Sequence, residues 1–176
     1  MSRELARAKQ RYETDALEAH RTAAANLIPA LDVNFYLTGW TRKAQEAYRD
    51  QWVLFVRAPD RSWDWDAIFQ RHRDPDRFEI VIWAPGDRLA GLGIGLTTGR
   101  ALVFRFFEGD PRPDCPLTGR RILIALEAAA CYAQARGKTE LRLQPINDRL
   151  AALYQDGYGF ILEAPKGEQP YLRRTI

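Results

Sequence analysis

Arginine dominates the residues of this chain that could do chemistry. Of 26 basic side chains only four are lysines, Lys9, Lys43, Lys138 and Lys166. A guanidinium offers paired donors on a planar fork, the geometry that suits phosphate and carboxylate groups, although genomic base composition alone can produce the same skew. Arg120 and Arg121 follow Gly119 at the start of a predicted long helix, with Arg112 in the loop before it. Free amides and the helix dipole favour an anion at such a helix start. Gly91-Leu-Gly-Ile-Gly95 lies inside a predicted strand with no helix opening after it, so it lacks the context of a dinucleotide fingerprint. The bare glycine face of that strand admits a helix or a ligand close to the backbone. Cys115 and Cys131 lack metal-ligand spacing and read as two reduced thiols. His20 and His72 fall in polar helical stretches and read as surface residues. The sequence holds no Ser/His/Asp order and no metal-ligand cluster, so neither triad hydrolysis nor a metal site is expected.

Something must hold these residues in place, and composition says what kind of scaffold to expect. A length of 176 residues with 46% hydrophobic and 28% charged side chains suits one well-buried domain. The net charge of +3 is too small to mark a polyanion binder, and Asp60, Asp64, Asp66, Asp74 and Asp76 are interspersed among the arginines. Nucleic acid is therefore not the expected partner. No apolar run is long enough to cross a bilayer. The first residues, MSRELARAKQRYE, carry charges where a secretion signal needs its apolar stretch, which predicts a cytoplasmic protein.

Periodicity supplies the elements. Leu5, Ala8, Tyr12, Ala16, Ala19, Ala23 and Leu27 make a thin apolar stripe that predicts a helix over 2–30, closed by Pro29. A short helix is predicted over 41–50, then a strand over 52–56. Ser62 or Asp64 caps a helix over 65–73. Three strands at 78–83, 88–97 and 101–107 follow, joined by tight turns and therefore antiparallel. A Pro-rich loop over 108–116 leads into the long helix, which Gly137 ends. A strand over 139–144 precedes a helix capped by Asn147 or Asp148, with Leu150, Leu153 and Tyr154 on its inner side. Strands at 160–164 and 171–176 finish the chain. The crossover helix makes the fourth and fifth strands parallel neighbours.

Residues 117–161 carry a more specific pattern: loop, helix, glycine, strand, then Pro145, Asn147, Leu150, Leu153 and Tyr154 on a helix start, and Gly159-Phe160 opening the next strand. This resembles the GNAT superfamily of N-acetyltransferases, in element order, from Trp52 to the C-terminus. The resemblance implies an α+β fold with a mixed, mostly antiparallel central sheet of about seven strands and helices on both faces. Residues 51–176 would form the GNAT-like domain and 1–50 a helical extension packed on it. It implies transfer of an acetyl group from acetyl-CoA, as co-substrate, directly to a primary amine of a small molecule or protein. Arg105, Phe106, Phe107 and Glu108 would offer the strand edge that bonds the pantetheine arm. Thr118, Gly119, Arg120 and Arg121 would cradle the pyrophosphate, and Asn147 would bond the pantetheine unless its side chain is spent on the helix cap. Tyr154 would protonate the departing thiolate, and Glu108, with Glu79 as rival, would take the proton of the amine. Trp40, Trp63 and Trp65 would line the acceptor side. The N-terminal helix either covers that side or mediates a homodimer. The phosphate loop departs from the family pattern: Pro116-Leu-Thr-Gly-Arg-Arg121 has one glycine and no Arg or Gln at its head. That departure supports an alternative, a catalytically degenerate GNAT-like module that binds or regulates.

Overall fold

The computed structural model describes residues 3–55, 63–145 and 147–176. Seven strands form one sheet in the order β1-β2-β3-β4-β5-β7-β6. The first is β1 (Tyr36–Thr38), after which α2 (Arg42–Gln51) and α3 (Trp65–Arg71) lead to a meander of β2 (Arg77–Ala84), β3 (Arg88–Thr98) and β4 (Ala101–Gly109). Helix α4 (Arg121–Ala135) crosses over to β5 (Glu140–Leu143), and α5 (Asp148–Tyr158), β6 (Ile161–Glu163) and β7 (Tyr171–Thr175) complete the sheet. All neighbours are antiparallel except β4 and β5, which pair in parallel as the crossover requires. The fold class read from the sequence is the one observed: a mostly antiparallel α+β sheet with a helix, α1 (Arg3–Leu31), ahead of it.

Two apolar layers sandwich the sheet. On one face Phe78, Ile80, Ile82, Leu102 and Phe104 pack under α4 and α1. On the other, Val81, Trp83, Leu89, Leu92 and Ile94 meet Tyr48, Trp52, Trp65 and Phe69 from α2, α3 and their flanks. The glycine face of β3 opens toward the α4 side, where neighbouring side chains fill the space. A Cβ at Gly93 would lie 2.7 Å from Phe104 Cζ and 2.9 Å from Ile80 Cγ2. No ligand is needed to account for these glycines.

Several expectations need correction. The strand predicted over 52–56 is a turn at Trp52–Phe55, and Val56 lies outside the described residues. Its apolar run is not sheet core: Trp52 is buried, donating its indole N–H to Leu89 O, whereas Val53, Leu54 and Phe55 are exposed. The true first strand spans three residues, too few to show a period. Pro29 does not stop α1, which runs two residues further with the proline in its last turn. His20 is not a surface residue. It is buried on α1, with Nε2 2.9 Å from Glu79 O and its ring 5.4 Å from Phe78. Leu153 is exposed, and α5 as a whole buries no residue fully. Among the described residues, no helix is long and apolar enough to cross a membrane.

Candidate active site

The site is laid out where β4 outruns its parallel neighbour. Pairing of β4 with β5 begins at Ala101↔Glu140 and ends at Phe104↔Leu143, while β4 continues to Gly109. A bulge falls at the same point: Ile94 pairs with Phe106 and Gly95 with Phe104, leaving Arg105 as the extra residue. The bulge bends the strand as it leaves β5. Beyond it Phe106 and Glu108 face the α3 side, while Phe107 packs into the layer under α4.

Glu108 is buried and accepts a hydrogen bond from Trp65 Nε1 at 2.7 Å. Phe106 meets Trp63 edge-on at 5.4 Å and the His72 ring at 5.7 Å. Burial and the cations Arg105 and Arg71 hold His72 below the ordinary imidazole pKa. Trp65 thus holds Glu108 directly and Trp63 meets Trp65 at 5.9 Å, whereas Trp40 joins the same aromatic cluster one ring further out, stacked on Phe69 at 4.4 Å. The rival carboxylate, Glu79, is fully engaged in structure. Its Oε2 accepts from Trp40 N at 2.8 Å and its Oε1 from Arg77 Nε at 2.8 Å.

Helix α4 starts beside the end of β4. Its N-cap residue, Arg120, makes no side-chain capping bond, and its first turn holds no acidic residue. Thr118, Gly119 and Arg120 are exposed there, with Gly119 at φ 81°. Thr118 Oγ1 donates to Cys115 O at 2.8 Å, which closes the preceding turn. Arg121 points back to the strand and donates from Nη1 to Asp110 O at 3.0 Å. Arg112, read from the sequence as part of the helix-start charge, is instead paired with the Asp110 carboxylate at 2.8 Å.

Asn147 caps α5, its Oδ1 accepting from Leu150 N at 2.9 Å. One amide oxygen is therefore committed to the helix, as its cap role requires. Two turns on, the half-buried Tyr154 ring packs edge-on against Phe160 at 5.9 Å and tilted against Tyr158 at 6.3 Å. Burial, with a smaller contribution from Tyr158, pushes its phenol up to about 12. It stays protonated across the physiological range and can donate a proton or a hydrogen bond there. Sequence reasoning missed the Trp65–Glu108 bond and the Asp110 ion cluster: the first joins residues 43 apart, and the second pairs Asp110 with nearby Arg112 but is completed by Arg88 at the start of β3.

No family model and no curated protein matches the sequence. Solved structures do match the fold. An acetyltransferase of the GNAT family from Listeria monocytogenes 4b F2365 is 16% identical, with TM-score 0.56 over 82% of this chain and 96% of that one. The GNAT domain of S. lividans PAT is 15% identical, with TM-score 0.56 over 81% of this chain and 90% of that one. Nourseothricin acetyltransferase is 27% identical over 58% of this chain and 66% of its own, with TM-score 0.44. The chain has the GNAT fold.

Proposed function

We propose that this chain is an N-acetyltransferase that moves the acetyl group of acetyl-CoA directly onto a primary amine. One observation carries the reading: the edge of β4 from Arg105 to Gly109 runs on past its last β5 partner, next to an α4 start whose cap has no side-chain bond. An extended pantetheine arm fits such an edge as an added strand. The amides at the start of α4, with Arg120, suit the pyrophosphate.

In the reaction the amine nitrogen attacks the thioester carbon, the C–N bond forms and the C–S bond breaks. Glu108 takes the proton of the attacking amine, directly or through water, and Tyr154 donates to the sulfur as it leaves. Holding donor and amine together supplies much of the acceleration. The Trp65 indole N–H donates to Glu108 Oε2 and fixes the direction of that carboxylate. Trp63 and Phe106 offer the acceptor an aromatic wall beside that carboxylate.

Titration calorimetry with acetyl-CoA tests the reading. Binding is expected, and none at about 1 mM cofactor would refute it. Thiol release in the presence of a panel of amines then reports transfer. A second reading, a catalytically degenerate GNAT-like module that binds or regulates, draws on Arg112 and Arg121 both being turned toward Asp110 instead of standing free for a phosphate. It requires that no amine releases thiol from acetyl-CoA.

A further inference from the structure

We infer that Asp110 is a positioning residue for the donor site: clamped between Arg88 and Arg112, it fixes where the start of α4 meets the open edge of β4. The inference rests on the acetyl-CoA reading above and assigns a new residue to that site. The Asp110 side chain is 0% exposed, and both of its oxygens are used. Oδ2 accepts from Arg88 Nε at 2.7 Å and Arg112 Nη2 at 2.9 Å. Oδ1 accepts from Arg112 Nε at 2.8 Å and the Arg112 backbone N–H at 3.0 Å.

Each guanidinium carries the clamp further. Arg88 reaches Asp114 Oδ1 at 2.7 Å, holding the far side of the loop. Arg112 Nη2 reaches Gln51 Oε1 at 3.0 Å, and the same oxygen accepts from Leu89 N at 2.9 Å. The loop is thereby stapled to the start of β3 and the end of α2. The backbone of Asp110 is fixed as well: its N–H donates to Ala90 O at 2.9 Å, and its carbonyl accepts from Arg121. Arg121 lies so close over Gly109 that a Cβ there would sit 2.7 Å from the guanidinium. The segment from strand end to helix start is thus closed at its root by one residue.

This device makes sense of the departure in the phosphate loop. A glycine-rich loop turns its amides toward an anion through conformational freedom. Here Gly119 is the one glycine between Gly109 and the helix, and Pro111, Pro113 and Pro116 stiffen the rest. Rigid placement has to replace flexibility, and a buried carboxylate between two guanidiniums provides it.

Calorimetry on the full chain with acetyl-CoA, at a temperature where each variant is folded, separates positioning from stability. Asp110→Asn keeps the shape but removes the charge, and should weaken binding about tenfold or more. Asp76→Asn is the control. It breaks a comparable ion cluster with Tyr132 and Arg136 on the α1 side of the fold, and should leave affinity within about twofold. Should Asp110→Asn not fold, Asp114→Asn carries the test, since it removes only the outer anchor of Arg88 and should weaken binding severalfold. Unchanged affinity in the Asp110 variant, or in the Asp114 variant where that carries the test, overturns the inference. So does equal weakening by the Asp76 control, which would mean general softening. If the unmutated chain binds no acetyl-CoA, the donor reading fails and this one with it. If it binds and the clamp variant binds equally well, this one fails alone.

Discussion

His20 should make the docking of α1 sensitive to mild acid. A carbonyl can only accept, so Nε2 donates to Glu79 O, and burial favours the neutral ring with its lone pair on Nδ1. Burial lowers its pKa below 6.5, against smaller opposing contributions from the Glu79 carbonyl and carboxylate. The unfolded chain therefore binds a proton below about pH 6.5 that the native chain does not, and native stability falls as pH drops through that window. For one such group the loss between pH 6.5 and 5.5 is at most about 1 kcal/mol, or roughly 2–4 °C of melting temperature in a chain of this size. His72, also shifted down, adds to the wild-type slope with the same sign. Asp76, Asp110 and Asp114 do not overlap this window, because their depressed pKa values cost stability only below about 3.8. His20→Gln can keep an N–H toward the Glu79 carbonyl without titrating. Thermal melts of both proteins between pH 7.5 and 5 isolate the effect: the variant should lose less stability than wild type from pH 6.5 to 5.5, by up to about 1 kcal/mol. Parallel curves would refute the argument, and an early separate transition for α1 would show that it is not part of the main cooperative unit.

Tyr154→Phe should lower kcat about a hundredfold, at the low end for an acid catalyst because a phenol near 12 gives up its proton reluctantly, while acetyl-CoA affinity stays unchanged. The same shift means that wild type should show no alkaline limb from this group below about pH 11; a limb near pH 9 that the variant abolishes would contradict it. Gly93→Ala forces a methyl against Phe104 and Ile80 and should cost about 1–3 kcal/mol in denaturant unfolding, and a change under about 0.5 kcal/mol would show that the sheet yields there.

What could be read from the sequence depended on how local its cause was. The meander from β2 to β4 was legible because long apolar runs are separated by turns, and the end of α4 because Gly137 sits at φ 68°. Thr41 and Asp64 cap α2 and α3 as their residue types suggest. Trp52 misled because one buried indole and three exposed apolar neighbours have the same composition as a strand. His20 misled because its burial depends on Glu79, which lies 59 residues away. The order β5-β7-β6, which inserts the last strand inside the edge one, has no local signature. Asn147 as the cap of α5 and Tyr154 two turns further on were legible as positions on one helix, while the roles proposed for them come from the resemblance. The partner of Glu108 was not legible, since α3 and the end of β4 meet only in the folded chain.

The arginine excess takes on a different meaning once its partners are visible. Arg77, Arg88, Arg112, Arg136, Arg142 and Arg173 are each paired with a carboxylate, most of them partly buried. Several of these pairs need a fork rather than a point charge. Arg88 spans Asp110 and Asp114 with different nitrogens, and Arg112 holds the carboxylate with Nε and Nη2 while the same Nη2 also reaches the Leu89 carbonyl. A lysine ammonium has no such fixed geometry, and holding it in place would cost more side-chain entropy for each bond made. Near the α4 start, then, arginine mainly builds the loop, and the exposed cation left at the helix cap is Arg120. A donor diphosphate would meet free helix amides and one flanking guanidinium, on a base that other guanidiniums have already made rigid.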